Sequence, residues 1–282
     1  MLRLRRELSD LAGYWALPLL VALLPYRAGI ALARLVARTF PLYDAAAQAG
    51  LVEVRAVCGG DGQRWLADFR FAQLIDRADL FWALTRRRRF LHSLMDASPE
   101  VDRGPLLVVS MHFGQGLWLL SWLRDRGMPA RFLSVRFDAT TFASTAHHLY
   151  ARLRMATVRR LSGVPPIYTG GAKREIAATL REGGVAYGLI DVPAAGAVAP
   201  ANAVLFGAPV HWPTGLVDSA RAEGADLLLL TACCERNGRR RVEADRVAAV
   251  DVQTIAANFE RRIRAQPGAW HFWHLRPAFA AR

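Results

Sequence analysis

Two hydrophobic periods divide the chain. From Ala45 to Met95, apolar residues recur every three or four positions, the spacing of helices that bury one side. Beyond Pro99, short apolar runs alternate with amphipathic stretches. The runs over 106–110, 130–135, 185–190 and 227–232 are rich in Val, Ile and Leu and read as buried strands, with 164–168 extended and 241–244 a further strand. Between them, 117–126, 142–155, 173–181, 216–221 and 252–264 carry the three-to-four spacing of helices. This alternation predicts an α/β fold: a mainly parallel central sheet with helices on both faces.

The N-terminal pattern is different. Arg3, Arg5 and Arg6 precede an apolar stretch over 11–24, broken by Pro18. A second amphipathic stretch over 28–40 follows, with Arg27, Arg34 and Arg38 on its polar side. The first run falls short of the roughly 20 residues that cross a bilayer upright. A basic start and a short apolar core also suit a secretory signal, but no small-residue cleavage site follows. The reading preferred over a plain pair of core helices is attachment at the membrane surface, with Tyr14 and Trp15 at the interface. This divides the chain into a membrane-associating helical segment over 1–43 and an α/β domain over 44–282. Removing 1–43 is then expected to release the protein from membranes. From 45 to 95 the aromatic stripe that includes Trp65, Phe69, Phe81 and Trp82 reads as packing. Arg86 to Arg89, next to Phe90, is either a solvated face or a holder of membrane phosphates.

Composition sharpens this picture. The chain has 282 residues, 53% of them hydrophobic, and a net charge of +13. Lys173 is the only lysine, so the positive charge is nearly all arginine. Guanidinium forks suit carboxylates and phosphates, though a GC-rich genome produces the same bias. A basic, apolar surface suits anionic lipid headgroups or an acidic carrier protein. Nucleic acid is disfavoured, because no aromatic-plus-basic strand or helix-turn-helix spacing is present. Cys58, Cys233 and Cys234 form neither a metal spacing nor a disulfide framework, which fits a reducing compartment.

The chemistry centres on Met111-His112-Phe113-Gly114-Gln115-Gly116, at the end of the first strand of the α/β region. The glycines permit a sharp turn. A histidine at a strand's carboxyl end, facing a helix start, lies where open α/β sheets place their chemistry. The competing reading is a core histidine bonded to a carbonyl. Asp191 ends another strand, next to Pro193, either as a turn-former or as a partner for His112. His147 and His148 read as surface residues, and His211, His271 and His274 as structural. The nucleophile elbow of serine hydrolases is absent, and 170–174 lacks the spacing of a phosphate loop.

In order along the chain, five elements resemble the late acyltransferases of lipid A biosynthesis, within the glycerolipid acyltransferase superfamily. They are an apolar N-terminal helix followed by Leu-Pro, the strand ending in His-Phe-Gly, and the arginine-bearing segment 152–160 ahead of "LREGGVAYGLID". "AVLFGAPVHWPTGLVDSARAEGADLLLL" and the terminal "AWHFWHLR" complete the set. The resemblance implies a glycerolipid acyltransferase-like α/β fold with N-terminal membrane-associated helices, at the cytoplasmic face of a Gram-negative inner membrane. His112 would be the general base, with Asp191 as the second catalytic candidate and Arg160, Gly114 and Gln115 as substrate-binding candidates. Arg160 would anchor a phosphate or pantetheine and, with backbone amides, steady a developing oxyanion or a phosphate; Arg152 and Arg154 are its understudies. The donor would be a thioester of an acyl carrier protein or coenzyme A, the acceptor a lipid hydroxyl, and no metal or redox cofactor is implied.

One departure weakens that chemistry. The family places a carboxylate five positions after the histidine, where this chain has Leu117, and no carboxylate lies between Asp102 and Asp125. Orienting carboxylates contribute up to roughly 10⁴ in rate. Either Asp191 approaches His112 across the sheet edge, or a backbone carbonyl or Gln115 orients the ring. On this reading Leu117→Glu leaves activity unchanged or raises it. The rival class is a non-catalytic lipid- or protein-binding relative that keeps the fold without the dyad.

Overall fold

Strands that are apolar on both faces form the middle of the molecule. The computed structural model describes residues 2–96, 101, 104–193, 201–247 and 251–280. The strands are β1 (Met95–Asp96), β2 (Leu106–Ser110), β3 (Ala130–Ser134), β4 (Ile167–Tyr168), β5 (Val185–Leu189), β6 (Ala203–Leu205), β7 (Ala208–Val210), β8 (Asp226–Cys234) and β9 (Arg240–Val247). Seven of them form one sheet in the order β1-β9-β8-β2-β5-β3-β4, parallel except between β8 and β9. Alternate residues serve two cores. Leu107, Val109, Ala186, Leu227 and Leu229 face one, while Leu106, Val108, Val185, Tyr187, Leu228 and Leu230 face the other. Both faces are therefore covered, and that is why the strands read as continuous apolar runs.

The helices are α1 (Leu2–Asp10), α2 (Leu17–Leu23), α3 (Tyr26–Thr39), α4 (Asp44–Cys58), α5 (Gly62–Thr85), α6 (Arg88–Ser93), α7 (Leu119–Asp125), α8 (Thr145–Ser162), α9 (Ala172–Arg181), α10 (Gly215–Ala222) and α11 (Val252–Ala265). Residues of α4, α9, α10, α11 and the C-terminal tail pack in the first core, and those of α2, α3, α5, α7 and α8 in the second. The helix expected over 142–155 runs instead over Thr145–Ser162, capped by Ser144, whose hydroxyl accepts from the His147 amide, and stopped by Gly163 at φ +80°. β6 and β7 were not expected as strands. Their two-residue loop has Phe206 at φ +54° and Gly207 at +76°, the left-handed pair that closes tight hairpins.

The N-terminal segment is not set apart from the α/β domain. Val21, Ala22, Ile30, Ala33 and Val36 are buried in the same core as Leu106 and Val108. Arg86 clasps the end of α2, donating to the Ala22 and Leu24 carbonyls at 3.2 and 2.8 Å. Tyr26 on α3 donates to the Gly238 carbonyl and accepts from Arg240, which is itself paired with Asp79 on α5 at 2.6 Å. The apolar run is also not one helix: a π-helical stretch over Leu11–Ala16 separates α1 from α2, and Pro18 lies in the first turn of α2, where its missing N–H costs little. No helix among the described residues is long and apolar enough to cross a membrane.

Candidate functional site

Register makes the site. β2 and β5 are neighbouring parallel strands with Ser110 opposite Leu189, and the Ile190 amide extends the ladder by donating to the Ser110 carbonyl at 3.0 Å. Two residues past that pair, His112 and Asp191 emerge side by side at the carboxyl edge. His112 Nδ1 lies 2.9 Å from Asp191 Oδ1, and the His112 amide donates to both carboxylate oxygens at 2.9 Å. Asp191 is completely enclosed, whereas a third of the His112 side chain is exposed. With Nδ1 donating to the carboxylate, the lone pair lies on Nε2, which has no hydrogen-bond partner among the described residues. A fixed tautomer with an accessible basic nitrogen is what general-base catalysis requires.

The C-terminal tail completes the setting. Trp270 Nε1 donates to Asp191 Oδ2 at 3.0 Å, giving the carboxylate a third N–H donor. The His271 amide donates to the His112 carbonyl at 2.8 Å. The Phe272 ring stacks on the His112 imidazole, with centroids 4.0 Å apart and planes 25° apart. The tail is held in turn by Trp273, stacked on Phe206 at 5.3 Å, so the β6–β7 hairpin supports the site indirectly. In the sequence the aromatic tail is one element of the resemblance, with no role for Trp270 and Phe272 at the dyad. The density of Trp and Phe around His271 and His274 was the only signal.

Leu117 is only 3% exposed and packs in the second core with Trp118 and Leu120. The carboxylate therefore comes from β5, across the sheet, and not from the turn before α7. The turn itself is tied down. Gly114 at φ +60° lies so close to β8 that a Cβ would come 2.1 Å from the Ala232 carbonyl oxygen. Its amide donates to the Ala269 carbonyl, the Gln115 amide to Ala232 and the Phe113 amide to Met111. With the His112 amide on Asp191, all four amides from 112 to 115 are engaged within the fold. The Gln115 side chain is buried, donating to the Ala72 carbonyl at 3.2 Å and accepting from the Cys234 amide at 2.6 Å. It joins α5 to β8 and neither orients His112 nor faces a substrate.

Arg160 is not brought to His112. It lies two residues before Ser162, whose hydroxyl donates to the carbonyl of Ala130, the first residue of β3. Ala130 is level with Leu106, since both pair with Val185. Six residues of strand rise, about 20 Å, separate that level from His112. Arg160 instead donates to the Ala83 carbonyl at 2.5 Å. The helix carrying it runs antiparallel to the strands, so its last turn ends at their amino edge. Of the understudies, Arg152 is exposed and Arg154 pairs with Asp76 at 2.9 Å.

Buried polar groups lie behind the dyad. Burial pushes His271 down to about 3, with Asp76 opposing the shift and Arg77, His112 and Arg154 adding to it, so this ring is neutral. Burial raises the Asp76 carboxyl, but Arg154 and Arg77 outweigh it and hold the group below the ordinary carboxylate value. Burial also pushes the Tyr150 hydroxyl up to about 12. His147, expected at the surface, stacks on Tyr14 with centroids 4.2 Å apart. No known protein-family model matches the chain, and no curated protein matches it.

Proposed function

We propose that this chain is a membrane-associated acyltransferase that moves an acyl chain from an acyl carrier protein or coenzyme A thioester to a lipid-borne hydroxyl. The observation that carries the reading is the His112–Asp191 pair, set at the carboxyl edge of a parallel sheet with Nε2 unpartnered. His112 Nε2 takes the proton of the acceptor hydroxyl as its oxygen attacks the thioester carbonyl carbon. The carbon–sulfur bond then breaks, the ester bond remains, and the imidazolium returns its proton to the departing thiolate. Asp191 holds Nδ1–H and stabilises the transient positive charge. Phe272 and Trp270 fix ring and carboxylate, so little reorganisation is needed at the moment of transfer.

The five sequence elements shared in order with the lipid A late acyltransferases favour acyl transfer over other uses of a histidine base. Exposed leucines favour a position at a membrane surface, and the resemblance makes that surface the cytoplasmic face of an inner membrane. Leu4, Leu8 and Leu11 recur along one face of the N-terminal helix, and Leu20 and Leu23 continue the row on α2, all between 48% and 64% exposed. Arg3, Arg5 and Arg6 flank them and are exposed as well.

The test is release of free thiol from acyl-coenzyme A and acyl carrier protein thioesters by the full-length protein, with bacterial membrane lipids as acceptors. His112→Ala and Asp191→Asn are each expected to lower the rate by roughly 10²–10⁴ while leaving the circular dichroism spectrum intact. Thiol release that persists undiminished in His112→Ala overturns the reading and leaves a lipid- or protein-binding module on this fold.

A further inference from the structure

At the amino edge of the sheet, far from His112, six arginines line one cleft: Arg86, Arg87, Arg88, Arg89, Arg124 and Arg160. Its volume is about 340 Å³, within the range of ligand sites. Of the six, only Arg88 has a carboxylate partner among the described residues, Asp125 at 3.1 Å. The others that are fixed are fixed by backbone carbonyls: Arg86 by Ala22 and Leu24, Arg160 by Ala83, and Arg124 by Arg160 at 2.8 Å. A carbonyl occupies an N–H donor without cancelling the charge. The cleft thus gathers six cations, three of them fixed by carbonyls, around a single carboxylate, and Arg86 Nε is buried there with no hydrogen-bond partner. Such an array is costly in self-repulsion unless an anion occupies it.

The rim says which anion. The Leu24 carbonyl that receives Arg86 directly follows α2, whose last turn carries the exposed Leu20 and Leu23. Leu84 and Phe90, each 39% exposed, flank the arginine run on either side. A pocket for a free phosphate gains nothing from protruding apolar side chains, whereas cations interleaved with leucine and phenylalanine match the boundary between headgroups and acyl chains. We propose that this cleft seats the phosphates of an anionic phospholipid surface while Leu20, Leu23, Leu84 and Phe90 enter the acyl layer around it. The proposal rests on the reading that the protein works at a membrane, and adds a second contact to the leucine row of α1. The row would then lie between the two ends of the sheet, placing its strands along the membrane plane.

The experiment is co-sedimentation of the full-length protein with vesicles of phosphatidylcholine, alone or with about one third phosphatidylglycerol. Arg87 and Arg89 are exposed and hold no part of the fold, so Arg87→Glu with Arg89→Glu is the informative variant. Wild type is expected to bind the anionic vesicles at least tenfold more tightly than the neutral ones, and the variant to lose at least tenfold on anionic vesicles only. Its thermal midpoint and its thiol release in detergent should stay unchanged. If variant and wild type bind anionic vesicles alike, the cleft proposal fails while membrane attachment stands. Binding of wild type to neither vesicle overturns both. Release of bound protein by millimolar inorganic phosphate, at constant ionic strength, would make the cleft a site for a soluble anion and overturn the lipid assignment.

Discussion

His112 is oriented by groups that converge from two distant parts of the chain: Asp191 just past the end of β5, and the C-terminal tail through the His271 backbone and the Phe272 ring. Leu117, five positions along, takes no part; its side chain fills space between Trp118 and the sheet. An acid introduced there would be buried among apolar side chains. Leu117→Glu is therefore expected to destabilise the protein by at least ~3 kcal/mol, the cost of an uncompensated buried charge, and not to raise activity as the sequence alone suggested. Urea unfolding measures it; a variant as stable as wild type would show that the turn opens to water.

The first three helices are clamped, not appended. Glu7 on α1 accepts the Thr145 and Ala146 amides at 2.8 and 3.2 Å, placing a carboxylate at the positive end of α8, and Trp15 donates to the Ala146 carbonyl. Burial of Val21, Ile30 and Val36 contributes about 5–8 kcal/mol in all, comparable with the whole stability of a typical domain. A chain lacking residues 1–43 is expected to lose its cooperative thermal transition; a truncated protein that still melts cooperatively would refute this packing argument. Release from membranes on truncation is thus a poor test of attachment. The better one is Leu8→Ser with Leu11→Ser in the full-length protein. It is expected to weaken vesicle binding at least tenfold with the thermal midpoint nearly unchanged, since both leucines are more than half exposed.

The protein as a whole buries histidines in neutral form. His271 is pushed down to about 3, and His92, His147 and His274 are lowered too, burial being the leading cause in each. An unfolded histidine titrates near 6.5, so below that pH the unfolded chain binds protons that the native state refuses. Through His271, stability therefore falls as pH falls from about 6.5 towards 3, by at most about 1.4 kcal/mol per pH unit, and the other three histidines act in the same direction. His271→Gln is expected to flatten the dependence of the urea midpoint between pH 7 and 5. An unaltered slope would mean that other groups carry it.

The alternation of short apolar runs with amphipathic stretches was enough to predict the parallel sheet, because a strand buried on both faces must be apolar throughout. It also marked His112 and Asp191 as strand-end residues. Their pairing across 79 positions depended on the register of β2 against β5, which no local pattern encodes. The β6–β7 hairpin escaped notice because three-residue strands around Phe206-Gly207 are too short to show a period. Arg160 is a site candidate only through the resemblance, as the counterpart of the family's anchoring arginine. The direction of α8 carried it to the opposite edge, where folding joins it and Arg124 to the run Arg86 to Arg89. The apolar N-terminal run was equally visible, but periodicity cannot say whether an apolar face meets lipid or protein. Folding divides it, sending Val21 and Ala22 into the core and leaving Leu20 and Leu23 outside.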